Sequence, residues 1–81
     1  MDRQFPEIID FFRGKIPDYQ LDSDVDIYNK SSPTIALENL CSQIDDYNIP
    51  LDKGIFECLK RLCESKGVDS SYIEIVQSHV I

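Results

Sequence analysis

The chain has 81 residues, 42% of them hydrophobic and 28% charged, with a formal net charge of −7. That composition is globular, and it excludes disordered and collagen-like chains. The length allows one domain at most, burying only about 60–65% of its unfolded surface. No apolar run approaches the roughly 18 residues of a membrane helix. The start, "MDRQFPEIIDFF", lacks the basic segment and long apolar stretch of a secretion signal, so the cytoplasm is the expected compartment.

Hydrophobic periodicity favours helices throughout, and no strict alternation is long enough for a sheet. The expected fold is all-α, a compact bundle of four to five short helices. In the first segment, about residues 2 to 13, Phe5, Ile8, Ile9 and Phe12 form one apolar stripe that Gly14 can end. A second helix is expected from an N-cap at about Asp18, with Leu21, Val25 and Tyr28 on its inner side. Its aspartates have poor helix propensity, which leaves a loop as the competing reading.

The third helix is better marked. Ser32 can accept from the free amides of the first turn, and Pro33 fills a position whose N–H is not needed. Leu37, Leu40, Cys41 and Ile44 make its stripe, and Asn48 before Ile49-Pro50 supplies the stop. Asp52 then caps a fourth helix that buries Ile55, Leu59, Leu62 and Cys63, with Phe56 at its flank and Gly67 past its end. Ser71 and Glu74 match a capping box for a short last helix, with Tyr72, Ile75, Val76 and His79 or Val80 returning to the bundle.

Cys41, Cys58 and Cys63 form an odd set without a CxxC pair, so neither a disulfide scaffold nor a zinc site is expected, and the thiols read as reduced and packed. His79 is the single histidine and reads as a solvated residue in a last helical turn, since no partner thiol or hydroxyl is signalled. There is no glycine-rich phosphate loop and no nucleophile with a placed base, so neither an enzyme nor a cofactor is expected.

The charge is unevenly placed. Residues 1 to 15 hold three acids and three bases, and residues 53 to 81 hold four of each. The whole surplus lies in residues 16 to 52, where eight acids face Lys30 alone. Glu38, Ser42, Asp45 and Asp46 project from the third helix away from its apolar stripe, taking 100° per residue. Asp45 and Asp46 sit at the negative end of the helix dipole, where exposed carboxylates cost roughly 0.3–1 kcal/mol each. Asp22, Asp24 and Asp26 would extend the same field if the second helix packs beside the third.

A charge run is ordinarily a solvated face. Here the acids are segregated and two break the dipole rule, which favours a binding surface. Such a surface repels nucleic acid and anionic membranes. It attracts a basic protein, and a nuclease with a cationic substrate groove is the obvious class. Tyr28 and Tyr47 bracket the acidic ridge as candidate anchors, with half-buried packing as the plain alternative.

The run "ALENLCSQIDDYNIPLDKGIFECLKRL" resembles the MafI family of bacterial immunity proteins, in which an E-N-L-C-like helix leads through an acidic stretch and an Ile-x-Leu turn into another amphipathic helix. Glu38, Asn39, Leu40 and Cys41 stand as "ENLC", Asp45 and Asp46 as the acidic stretch, and Ile49 and Leu51 as the turn. The likeness covers roughly residues 34 to 67. It implies a small cytoplasmic protein that binds and neutralises the toxic C-terminal domain of a polymorphic or contact-dependent growth inhibition toxin, often a nuclease; the free protein is expected to be a monomer or weak dimer. Taken with the acidic ridge, the expected partner is a basic nuclease, a ribonuclease before a deoxyribonuclease.

Two other classes compete. An acyl carrier protein is also small, acidic and helical, with a serine after an aspartate at a helix start. Asp22-Ser23 is the possible match, but Asp24 stands where that motif has an apolar residue. An acidic nucleic-acid mimic acting on a DNA-binding regulator differs from an immunity protein only in its partner. The D-x-D-x-D run from Asp22 to Asp26 does not make a calcium loop, because Ile27 and Pro33 occupy the positions that need glycine and a carboxylate.

Overall fold

The computed structural model describes residues 4–81, so the expected start of the first helix near Asp2 lies outside it. Five helices follow one another: α1 (Phe5–Phe12), α2 (Asp18–Lys30), α3 (Pro33–Asp46), α4 (Lys53–Ser65) and α5 (Ser70–Gln77). The fold is an all-α bundle, and no strand occurs among the described residues.

Packing explains why the aspartate-rich second segment is helical despite its composition. Leu21 is fully buried and Val25, Ile27 and Tyr28 pack against the core, so burial of one face outweighs weak propensity. Asp18 is the first helical residue rather than the cap, which is Pro17. Helix α3 is the centre of the bundle, lying against α2 along one flank and α5 along the other. Ala36, Leu37, Leu40, Cys41 and Ile44 are its buried residues, and together they span an arc of about 140°.

Caps set the element boundaries. Ser32 Oγ accepts from Ile35 N–H at 3.2 Å, and Asp52 Oδ1 accepts from Ile55 N–H at 2.8 Å. Helices α3 and α4 both end in a Schellman motif. Ile49 N–H donates to Ile44 C=O and Asn48 N–H to Asp45 C=O, while Val68 N–H donates to Cys63 C=O and Gly67 N–H to Glu64 C=O. The left-handed residue is Asn48 (φ 52°) in the first and Gly67 (φ 74°) in the second, and the buried Ile49 and Val68 anchor each exit.

Three details differ from expectation. The last helix is capped by Asp69, whose Oδ1 accepts from Ser71 N–H at 2.8 Å, rather than by a box from Ser71 to Glu74. That bond also holds the Asp69 carboxyl below the usual range. Ile75 is 42% exposed rather than inward, so α5 seals the bundle with Val76 and, in part, Tyr72 and Ile73. In α4, Phe56 is buried and Leu62 only half-buried, the reverse of their expected roles. All three cysteines are free thiols. Cys41 and Cys63 adjoin, and this neighbour together with burial pushes the Cys41 thiol up.

The tail after α5 is pinned to the α3–α4 connection: Leu51 N–H donates to His79 C=O at 2.9 Å, and Ile81 N–H to Leu51 C=O at 3.0 Å. Two stability tests follow from this architecture. Leu40→Ala, at the centre of the α3 stripe, should cost about 2–5 kcal/mol in chemical denaturation. Asn48→Val should cost about 1–2 kcal/mol, because a β-branched residue resists the left-handed backbone, whereas Asn48→Gly should hold or raise stability.

Candidate partner-binding surface

Five residues of α3 outside its buried arc form one outward strip. In angular order it carries Asp45, Glu38, Ser42, Ile35 and Asp46, across about 100° of the helix surface. Ser42, Asp45 and Asp46 are exposed and Glu38 is half-buried. The fourteen residues of α3 contain no lysine or arginine. This strip therefore has no positive charge of its own.

Helix α2 contributes less to the field than its sequence suggests. Arg13, from the turn after α1, binds Asp18 Oδ1 at 3.2 Å and Asp22 Oδ1 at 2.9 Å. These two carboxylates hold the Arg13 guanidinium above its ordinary pKa. Asp26 pairs with Lys30 at 3.7 Å, one helical turn on. Asp24 is only 1% exposed and points into the α2–α3 seam. It cannot touch a partner in this fold, which corrects its expected place on the ridge. The reason is rotational: Asp22 and Asp26 share a helix face, while Asp24 lies about 160–200° from them. The three carboxylates of the D-x-D-x-D run therefore do not converge on a common point.

The dipole puzzle at the end of α3 is half resolved. His79 Nε2 lies 2.9 Å from Asp45 Oδ1, and the histidine side chain is 12% exposed. It is thus packed against the end of α3 rather than solvated, with a polar partner for the first of the two carboxylates. The Schellman bonds to Ile44 and Asp45 also satisfy two carbonyls at that end. The Asp46 side chain has no ion pair or hydrogen-bond partner among the described residues.

The two candidate tyrosines part company. Tyr28 stacks on Phe5, with ring centroids 4.1 Å apart and planes 7° apart, and lines a cavity of about 260 Å³ with Gln4, Cys58, Arg61 and Leu62. It belongs to the packing between α1, α2 and α4, not to the acidic ridge. Tyr47 is 43% exposed at the end of α3. It walls an open groove of about 410 Å³ with Gly14, Lys15, Ile16, Pro17 and Asp18. The Lys15 ammonium is engaged nearby, donating to Phe11 C=O at 3.1 Å and standing 4.5 Å from the Phe11 ring centroid.

On α2 and α3, two exposed apolar residues escaped the sequence reading. Ile35, 49% exposed, stands at the opposite end of the α3 strip from Tyr47, and Tyr19, 73% exposed, stands on the first turn of α2. Neither lies on an apolar stripe, and that departure was the available signal. The strip accordingly has carboxylates between two partly apolar ends. Ser23 is the sixth residue of α2 rather than at a helix start, so the carrier-protein motif lacks its usual setting.

No family model, curated protein or solved structure matches the chain. The link between His79 and Asp45 gives the test for this region. His79→Ala should lower stability by about 1 kcal/mol, since it removes one partly exposed polar contact and its packing. Combined with Asp45→Asn it should cost less than the sum of the two single changes, as read by a double-mutant cycle.

Proposed function

We propose that this chain is an immunity protein that acts in the cytoplasm by occluding a basic toxin domain of the nuclease class. The observation that carries the reading is the α3 strip. Glu38 and Asp46 carry no ion pair among the described residues and Asp45 meets only His79, whereas the exposed acids of α2 are engaged by Arg13 and Lys30. A cationic substrate groove is the complementary surface, and carboxylates seated there speed encounter and exclude nucleic acid.

The roles divide along the strip. Asp46, Asp45 and Glu38 provide the field, and Ser42 offers a neutral hydroxyl among them. Tyr47 supplies the aromatic anchor at one end, because desolvated aromatics carry much of the energy of an interface. Asp22 and Asp26 stay exposed and are held back by Arg13 and Lys30, so their contribution requires exchanging an internal pair for an external one. The resemblance to the MafI family supports the same partner class through Glu38, Asp45 and Asp46.

The experiment is co-expression with the protein encoded immediately upstream, followed by binding kinetics on the purified pair. Asp45→Lys with Asp46→Lys should slow association by about 10- to 100-fold at low salt and flatten its salt dependence. Tyr47→Ala should act mainly on dissociation, weakening affinity by about 2 kcal/mol. Unchanged affinity in the folded double-lysine variant would remove this strip as the site.

A further inference from the structure

The α2–α3 seam contains a polar arrangement that the binding surface does not use. Asp24 Oδ1 accepts from Gln43 Nε2 at 3.4 Å, a long bond between the buried carboxylate and a half-buried amide. The other oxygen of each group, Asp24 Oδ2 and Gln43 Oε1, is buried without a partner, as is Gln20 Oε1 one turn earlier on α2. Buried acceptors left unpaired are costly. An ionised carboxylate has no donor to offer, so no rotation of it satisfies the Gln43 oxygen.

One proton removes the conflict. A carboxylic acid and a primary amide form a cyclic pair in which the acid carbonyl accepts from the amide N–H and the acid O–H donates to the amide carbonyl. We propose that Asp24 and Gln43 form this proton-closed acid–amide pair, making the seam between α2 and α3 a pH-operated latch. Closed, the pair satisfies both orphaned oxygens across the seam and shortens the existing bond. Open, it leaves a buried negative charge held across the seam by the single long bond from Gln43, with Asp24 Oδ2 and Gln43 Oε1 unpaired.

The surroundings favour the neutral form. Burial pushes the Asp24 carboxyl up to about 6, with the Gln43 bond opposing the rise. The ionisable groups of α1 are the acids Glu7 and Asp10; Arg13, in the turn after it, is committed to Asp18 and Asp22, and Lys30 on the same helix as Asp24 is committed to Asp26. The ionisable groups of α3 are the acids Glu38, Asp45 and Asp46 and the thiol of Cys41, and Asp45 is engaged by His79. The sign follows from linkage. The folded form holds its proton more tightly than the unfolded form, so the stabilisation is complete below about pH 4 and is lost as pH rises toward 6. Above 6 the ionised seam persists at constant cost.

Three measurements on the full chain decide the matter. Carboxyl carbon NMR should show Asp24 titrating near pH 6, well apart from the exposed aspartates, and a midpoint near 4 would overturn the latch. Denaturation from pH 4 to 8 should compare the native chain with Asp24→Asn, whose amide mimics the closed pair at every pH. The unfolding constant of the native chain should rise relative to the variant by roughly 60-fold over that range, and the variant should be the more stable at pH 7. Parallel pH profiles for the two proteins would sink the proposal. Gln43→Leu should keep Asp24 titrating high while abolishing the tightening of the seam, read as loss of the extra amide-exchange protection of α2 at pH 5. Unaltered protection in that variant would show that Gln43 is no part of a latch.

Discussion

The placement of α3 between α2 and α5 is the constraint on which the molecule depends. With Leu37, Leu40 and Ile44 fully buried and both flanks occupied, only one narrow side of this helix is open to solvent. That geometry decides which of the middle acids can act outside the molecule. Glu38, Asp45 and Asp46 fall on the open side because of their spacing, while Gln43 falls on the α2 flank, where it meets Asp24. The same rotation that exposes one set of polar groups therefore buries the other.

Much of the architecture was legible in the sequence, because α3 and α4 carry agreeing signals at every level. The capping side chains of Ser32 and Asp52, the apolar stripes and the left-handed exits at Asn48 and Gly67 all point one way. The α5 boundary was harder. Asp69 and Ser71 can each cap a helix, and only the bond from Ser71 N–H to Asp69 decides between them. Ile75 shows the limit of stripe reading for an eight-residue helix, whose single buried position, Val76, leaves its neighbours little constraint.

The surface was only partly legible, for a physical reason. Counting charge by segment treats residues 1 to 15 as neutral and therefore inert, yet Arg13 leaves that segment to hold Asp18 and Asp22 of the next. Ion pairs are formed in space, and a balance struck along the chain misses them. His79 shows the same point at longer range, reaching Asp45 from 34 positions away. Asp24 is different, since its inward direction follows from helical rotation once α2 is accepted as a helix. What no pattern supplies is its meeting with Gln43, which depends on the register between the two helices.

The clip between Leu51 and the last residues carries a practical corollary. Because Ile81 is tied to Leu51 and His79 reaches Asp45, any peptide appended past Ile81 starts its path at the rim of the carboxylate-bearing side of α3. A purification tag or reporter fused there would crowd an arriving macromolecule, and a cationic tag would fold back onto the very charges it was meant to leave free.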